Sequence, residues 1–256
     1  MINVDKNIER DRYDARASLE IDWAASQLSL GSKTMPLYLR SPYLQYERLI
    51  AQNVGKSCSC LEIGAGTGMH TKALLDTGAS IVISDISQIS LDVVKRKFSG
   101  EYKNFETKVA DIESLPFPDS SFDAIFCAGS LSYGEPYKVN REIRRVLRNG
   151  GFLIFIDSLG HNPIFRLNRW LHYLRNNRTK STLERIPTMS RIEELSTGFS
   201  SVSVFYFGGF IYLCPVIKFF FGEASAECLS DTLDSFLHVK KSAFKFVLLS
   251  KNYSKR

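Results

Sequence analysis

Alternating glycines stand between a predicted strand and a predicted helix. The loop Gly64-Ala65-Gly66-Thr67-Gly68 follows an apolar run of strand length at Ser59–Ile63, and a helical pattern begins at residue 70. Glycines allow a sharp turn and let a ligand approach the backbone closely. In the dinucleotide pattern G-x-G-x-x-G the third glycine would stand at Met69, one position later than Gly68. The spacing therefore predicts a nucleotide-like ligand and argues against a dinucleotide.

Two carboxylates accompany this loop. Glu62 lies two residues before the first glycine, and Asp85 ends the β-branched run SIVISD. A carboxylate at the end of the second strand can accept hydrogen bonds from both ribose hydroxyls, in NAD and in other adenosine ligands alike. Taken alone, Asp85 would serve equally well as a helix cap. The pair nevertheless favours a ligand that contains adenosine.

The pattern E-x-G-x-G-x-G, from Glu62 to Gly68, resembles the first motif of the class I S-adenosylmethionine-dependent methyltransferases. Two later runs, LPFPDSSFD at 115–123 and REIRRVLRNGG at 141–151, are similar to segments of the small-molecule (type 11) group of that family. The resemblance covers about residues 58–158. It implies S-adenosylmethionine as the cofactor, with Asp111 on the adenine amino group and Ile112 against the adenine ring.

The resemblance supplies a set of candidate cofactor-binding residues at the strand ends. The set is Glu62, Gly64, Ala65, Gly66, Gly68, Asp85, Ile86, Asp111, Ile112 and Ser130. Within it, Glu62 is expected to act on the methionine end of the cofactor through water or through the loop. Tyr13 and Arg40, in the region before the loop, are candidates for closing over the cofactor.

Strand-like and helical runs alternate through the middle of the chain, which predicts βαβ units and a parallel sheet covered on both faces. A helix is predicted over residues 139–147, ended by Asn149-Gly150-Gly151. The resemblance implies a Rossmann-like α/β fold with a seven-stranded, mostly parallel sheet of order 3-2-1-4-5-7-6.

One domain is expected over residues 1–256. Its predicted parts are a helical lead-in at 1–56, a cofactor-binding core at 57–158, helical cap insertions at 159–191 and 208–240, and a closing strand at 244–250.

The segment after the fourth predicted strand, Gly129-Ser130-Leu131-Ser132-Tyr133, bears on the methyl acceptor. It lacks the Asn/Asp-Pro-Pro-aromatic run that is common in enzymes acting on amines of nucleic-acid bases. This segment and the run at 157–164 are similar to methyltransferases encoded among bacterial surface-polysaccharide genes. That second resemblance implies a hydroxyl of a sugar or glycan intermediate as the acceptor, while N- and C-methylation stay open.

His161 is the candidate general base, because it follows the fifth predicted strand on the side where the methyl group is expected. Asp157 and Tyr133 are alternative candidates for the base. The sequence is equally consistent with a His161 that has no catalytic role and only forms hydrogen bonds within its loop. No metal site is expected, since no second Cys/His pair lies near Cys58 and Cys60.

Positive charge is concentrated in the first insertion. The chain has a net charge of +6, and residues 161–191 contain one acid, Glu184. The basic residues there are Arg166, Arg169, Arg175, Arg178, Lys180, Arg185 and Arg191. An anionic acceptor, an anionic membrane surface and a solvated helix face each fit this charge. This charge is the one feature that favours an RNA methyltransferase, so we do not expect nucleic acid as the partner.

An apolar run at 204–221 contains Lys218 as its one charged residue. We expect it to be buried over the active site; a membrane-dipping lid for a lipid-linked acceptor is the alternative. The odd number of cysteines and the charged first residues predict a cytoplasmic protein, possible also at the inner membrane face. An NAD(P)-dependent oxidoreductase and a non-catalytic binding module are rival functions.

Overall fold

A seven-stranded mixed sheet forms the centre of the computed structural model, which describes residues 2–23, 35–175, 179–237 and 243–253. The strands are β1 (Ser59–Ile63), β2 (Ser80–Asp85), β3 (Phe105–Val109), β4 (Phe122–Ala128), β5 (Leu147–Ser158), β6 (Phe199–Phe207) and β7 (Lys245–Tyr253). Their order across the sheet is β3-β2-β1-β4-β5-β7-β6. β7 runs antiparallel to both of its neighbours, β5 and β6. The predicted Rossmann-like fold and strand order are confirmed.

Ten helices are found in the described residues. They are α1 (Ile2–Trp23), α2 (Ser41–Asn53), α3 (Thr71–Leu75), α4 (Gln88–Phe98), α5 (Pro136–Val146), α6 (Pro163–Leu174), α7 (Lys180–Glu184), α8 (Met189–Ser196), α9 (Cys214–Phe221) and α10 (Glu223–Leu237). Parts of the predicted lead-in (24–34) and of the two insertions (176–178, with Arg178, and 238–240) lie outside the described residues.

Side chains of the central strands alternate between two layers of helices. Ile125 of β4 and Phe155 of β5 belong to a buried cluster that includes residues of α5 and α8. Phe126 and Ile154, one position along each strand, belong to a second cluster with residues of α2, α3 and α4. Strands buried on both faces need apolar residues at nearly every position. Helix packing thus fixes the sheet, and the loops after its parallel strands meet at one edge.

The boundary between α5 and β5 differs from the prediction. The helix ends at Val146, and residues 148–151 belong to β5 instead of closing the helix. The reason is a register shift: Leu147 pairs with Phe122, whereas Phe152 pairs with Ala124. Because the buried Leu147 side chain already packs in the sheet, the Asn-Gly-Gly run forms an irregularity within the strand.

The second insertion, as far as the structure describes it, lines neither of the cavities described below, contrary to our expectation that the apolar run at 204–221 is buried over the active site. Ile211 and Cys214 at its start pack with Tyr38 and Leu39 of the lead-in. The last residues of α9, Phe219 to Phe221, are strongly exposed. None of the described helices is both long and apolar enough to cross a membrane.

Candidate functional site

A cavity lies at the carboxyl ends of β1 to β4, between the glycine loop and helices α1 and α7. The structure brings together eight of the predicted cofactor-binding residues around it: Gly64, Ala65, Gly66, Asp85, Ile86, Asp111, Ile112 and Ser130. We refer to this space as the first cavity. In open α/β sheets this is the edge at which ligands bind.

The glycine loop exposes its backbone to the first cavity. Gly66 has φ +54°, and a Cβ there would meet no atom within 4 Å, so its missing side chain leaves open space. Gly64 has φ +63°, and a Cβ there would lie 2.3 Å from Ser130 Oγ. Ser130 Oγ donates to the Gly64 carbonyl at 2.7 Å, which joins the loop to the end of β4. Both glycines are therefore needed for this backbone geometry.

Asp85 is held rigidly at the end of β2. Its Oδ2 accepts a hydrogen bond from Gly66 N–H at 2.8 Å, and its Oδ1 accepts one from Ser87 N–H at 2.9 Å. Burial raises the pKa of Asp85, and these backbone donors oppose that rise. Each carboxylate oxygen keeps a second lone pair, so the side chain can still accept ligand hydroxyls.

Glu62 and Gly68, the other two predicted residues, lie behind the loop and do not line the cavity. Glu62 Oε2 accepts a hydrogen bond from Thr71 Oγ1 at 2.7 Å, and burial raises the Glu62 pKa to about 7. A Cβ on Gly68 would lie 3.0 Å from the Phe98 ring, so this glycine allows α4 to pack against the loop. Both residues support the loop from below.

Helix α1 lies across the first cavity, a role the sequence indicated only at Tyr13. Lys6 Nζ is 2.6 Å from Asp111 Oδ2 and 2.8 Å from Glu113 Oε2. Other α1 residues that line the cavity are Asp5, Glu9, Arg10, Tyr13 and Arg16. Charged residues scattered along a helix are typical of any solvated face, so no sequence signal marked them.

Two further sets of contacts hold α1 in place. Glu9 Oε1 accepts hydrogen bonds from Thr179 Oγ1 at 3.1 Å and Thr182 Oγ1 at 3.0 Å, at the start of α7. The Tyr13 and Tyr133 hydroxyls share a hydrogen bond, and their rings meet edge to face at 5.6 Å. The helix thus connects the cavity floor with the first insertion.

A second cavity adjoins the first one. The two share Tyr13, Gly129, Tyr133 and Thr182 in their linings. The remaining lining residues of the second cavity are Ser132, Asp157, Ser158, Arg169, Leu183, Ile186, Pro187 and Lys245. Tyr13 and Tyr133 therefore stand where a ligand in one cavity would meet a ligand in the other.

Asp157 is the buried carboxylate of the second cavity. Its Oδ2 accepts a hydrogen bond from Leu131 N–H at 2.9 Å, and its Oδ1 accepts one from Ser158 N–H at 2.6 Å. The first bond positions the turn Leu131–Tyr133, which carries Tyr133. Burial raises the pKa of Asp157, and the charge of Lys245 opposes the rise. A carboxyl group with a raised pKa beside a cavity is a candidate acid or base.

A cluster of Tyr43, His70 and Lys245 was missed by the sequence reasoning. The Tyr43 ring stacks on His70 with centroids 4.7 Å apart, and Lys245 Nζ lies 5.1 Å from the Tyr43 centroid. His70 lines the first cavity and Lys245 the second. Burial and the nearby Lys245 charge lower the His70 pKa to about 4, so this imidazole is neutral at pH 7. The three residues come from distant parts of the chain, which gives no local sequence signal.

His161 and Arg40 lie away from both cavities. The exposed His161 ring accepts a hydrogen bond at Nε2 from Met189 N–H at 2.9 Å. Arg40 Nε donates to the Met35 carbonyl at 2.7 Å. Of the predicted catalytic residues, Asp157 and Tyr133 line the second cavity and His161 lines neither. No cluster of metal-ligating side chains is found among the residues that the structure describes.

Comparisons with known proteins agree with this geometry. Residues 61–155 match the model of the methyltransferase domain family. This match supports the predicted class of enzyme, a methyltransferase that depends on S-adenosylmethionine, over residues 61–155.

The similarity to curated proteins is confined to part of the chain. A demethylmenaquinone methyltransferase of Clavibacter sepedonicus is 37% identical over 102 residues, which are 38% of this chain and 40% of that protein. The chain thus spans less than half of this curated relative's length.

Solved structures share the fold over a larger part of the chain. A putative sarcosine dimethylglycine methyltransferase from Galdieria sulphuraria superposes with a TM-score of 0.61 at 16% identity, covering 97% of this chain and 100% of that one. A Haemonchus contortus phosphoethanolamine N-methyltransferase, solved with S-adenosylhomocysteine, gives 0.59 at 18% identity, covering 85% and 55%. At such identities the likeness is one of fold.

Proposed function

We propose that this chain transfers the methyl group of S-adenosylmethionine to a hydroxyl of a small polar acceptor. The observation that carries the proposal is the pair of adjoining cavities that meet at Tyr13 and Tyr133. Methyl transfer needs an in-line approach of the acceptor atom to the methyl carbon, with both ligands held at once. The first cavity would hold the cofactor and the second cavity the acceptor.

Residues around the first cavity suit each part of the cofactor. Asp85 would accept the ribose hydroxyls, and Asp111 with Ile112 would contact the adenine. Lys6 pairs with both Asp111 and Glu113, so it could keep its contact with Glu113 while Asp111 binds the adenine. Gly64 and Gly66 would let the backbone approach the methionine end of the cofactor.

The reaction itself is a displacement at carbon. The acceptor oxygen forms a bond to the methyl carbon as the bond to sulfur breaks, and the sulfonium becomes the neutral thioether of S-adenosylhomocysteine. The acceptor proton must leave, and we propose Asp157 as the group that takes it. Its raised pKa brings it closer to neutral pH, where a general base works best. Tyr133, held by the Asp157-bound turn, would position the acceptor.

The character of the second cavity indicates a polar acceptor. Ser132, Ser158 and Thr182 supply hydroxyl groups, whereas Arg169 and Lys245 supply positive charge. Among the described residues, Lys245 has no carboxylate within ion-pair distance and rests on the Tyr43 and Phe244 rings. A sugar or glycan intermediate that carries an acidic or phosphate group fits this lining better than an apolar ring system such as a quinone.

Replacement of Asp157 tests the proposed base. In a methyl-transfer screen across sugars, sugar phosphates and nucleotide sugars, Asp157→Asn should lower kcat by roughly 10²–10⁴-fold on the acceptor found, with little change in cofactor affinity. The wild-type rate should rise with pH as Asp157 ionises, and the variant should lose that rise.

His161→Ala is the matched control, since the structure places this side chain outside both cavities. Its rate should stay within about twofold of wild type, because no lining residue is changed. An unchanged rate in Asp157→Asn, or a large loss in His161→Ala, would contradict the assignment.

A further inference from the structure

Helix α6 presents its apolar stripe to solvent. Ile164, Leu167, Leu171 and Leu174 recur at i, i+3, i+7 and i+10, and their side chains are between 38% and 55% exposed. The helix buries Phe165 instead. A surface helix normally turns such a stripe toward the core. An outward stripe of this kind marks a surface that contacts another apolar phase.

Helix α9 ends in a second exposed apolar group. Phe219, Phe220 and Phe221 are 82%, 69% and 73% exposed. The Phe219 and Phe220 rings meet edge to face with centroids 5.0 Å apart, and the Phe221 ring lies 6.4 Å from that of Phe220. The three rings therefore form one exposed apolar cluster at the end of the helix.

The two helices lie around a shared anchor. Phe165 of α6 packs against Phe244 with ring centroids 6.0 Å apart. Phe244 also packs in the cluster of Ile211 and Cys214, which begins the segment leading into α9. The exposed residues of α6 and α9 thus flank the start of β7, and we call them the apolar face.

The charge on the α6 side of this face is positive. Helix α6 contains no acidic residue, and Arg166 and Arg175 are exposed beside its stripe. Arg169 lies over the Phe165 ring at 4.9 Å. On α9, Lys218 is paired with Glu223 at 3.2 Å, and α10, which packs against α9, contains only acidic charges, so the positive charge is that of the arginines of α6. Apolar side chains bordered by arginine are typical of helices that lie at an anionic membrane interface.

We propose that the apolar face binds the surface of an anionic lipid bilayer. The phenylalanines of α9 and the leucines of α6 would enter the boundary between headgroups and acyl chains, and the arginines of α6 would contact lipid phosphates. The same helix contributes Arg169 to the second cavity, so bilayer binding would bring that cavity to the membrane surface. The proposal does not depend on the methyl-transfer reaction.

Flotation of the full chain with vesicles tests the proposal. We expect the protein to float with vesicles of phosphatidylcholine mixed with phosphatidylglycerol, and to float less with phosphatidylcholine alone or at high salt. The double variant F219S/F220S should bind the mixed vesicles at least about tenfold more weakly, because two exposed rings no longer enter the interface.

Tyr137→Ser is the matched control, since Tyr137 on α5 is 71% exposed and lies outside the apolar face. Its flotation should equal that of wild type. Since these side chains are exposed, the thermal unfolding of all variants should also match wild type. Failure to float with the mixed vesicles, or equal flotation of F219S/F220S, would overturn the proposal. A wild-type dimer in light scattering that F219S/F220S abolishes would also overturn it, because a second copy would then cover this face.

Discussion

Glu62 and Asp85 are two buried carboxylates beside the same glycine loop, yet their surroundings differ. Burial raises the pKa of both groups. Backbone N–H groups of Gly66 and Ser87 hold Asp85 at the cavity wall, whereas Glu62 accepts a hydrogen bond from Thr71 and does not line the cavity. Two carboxylates that the sequence grouped together therefore have different roles: Asp85 can bind, and Glu62 supports the loop.

The pKa of Glu62 predicts how the cofactor-free protein's stability varies with pH. In the unfolded chain this glutamate ionises near its ordinary pKa of 4.5, whereas in the folded protein burial raises its pKa to about 7. The native state therefore loses stability relative to the unfolded state as pH rises through this range. Glu62→Gln removes this dependence of stability on pH, because the glutamine side chain does not ionise. Its stability relative to wild type should rise from pH 4 to pH 8 by an amount on the order of 3 kcal/mol.

Urea unfolding of the wild type and the variant at several pH values measures this difference. Glu106→Gln, at an exposed position on β3, is the control for a general effect of removing a carboxyl group. If the difference between Glu62→Gln and wild type were the same at pH 4 and pH 8, the assigned ionisation of Glu62 would be wrong.

At the scale of elements, two runs that carried the family resemblance serve to join parts of the fold. Glu142 of α5 accepts a hydrogen bond from Leu115 N–H at 3.0 Å, and Arg145 donates to the carbonyls of Leu115 at 2.8 Å and Phe117 at 2.7 Å. The loop at 115–123 is thus fastened to α5, and neither run lines a cavity. These two runs carry the resemblance although their contacts stabilise the architecture beside the site and not the site itself.

The position of helix α1 over the first cavity could not be predicted from its sequence pattern. Its helical character was predicted, but its position over the first cavity depends on tertiary contacts made by Lys6, Glu9 and Tyr13. None of these partners is close in sequence. Because α1 covers the cavity, we expect its movement to limit entry and exit of the cofactor.

Weakening the contact between α1 and α7 tests this role. Glu9→Gln should leave the fold intact but weaken the hydrogen bonds from Thr179 and Thr182, since an amide oxygen is a poorer acceptor than a carboxylate. The dissociation rate of S-adenosylmethionine, measured by stopped flow, should rise about five- to tenfold.

Asp11→Asn, an exposed change on the same helix, is the control and should leave this dissociation rate unchanged. Equal rates in wild type and Glu9→Gln would show that α1 does not act as a cover for the cavity.

At the scale of the whole molecule, the core of the fold was predictable because strands buried on both faces leave an apolar pattern that helices interrupt regularly. The insertions were not. Residues 204–221 are apolar enough to suggest burial, yet α9 packs against the lead-in through Cys214 and leaves Phe219 to Phe221 in solvent. Apolar composition alone does not distinguish a residue that is buried within the protein from one that is exposed on its surface. The second cavity was not predictable either. Lys245 and Arg169 line it together only when the sheet and the first insertion are both folded.

Calorimetric titration of the full chain with S-adenosylmethionine tests the central claim most directly. We predict binding at a single site, and we predict that Asp85→Ala weakens it by at least about tenfold, because hydrogen bonds to a charged acceptor are lost. The absence of binding at millimolar cofactor, or an affinity that Asp85→Ala leaves unchanged, would contradict the assignment of the first cavity to this cofactor.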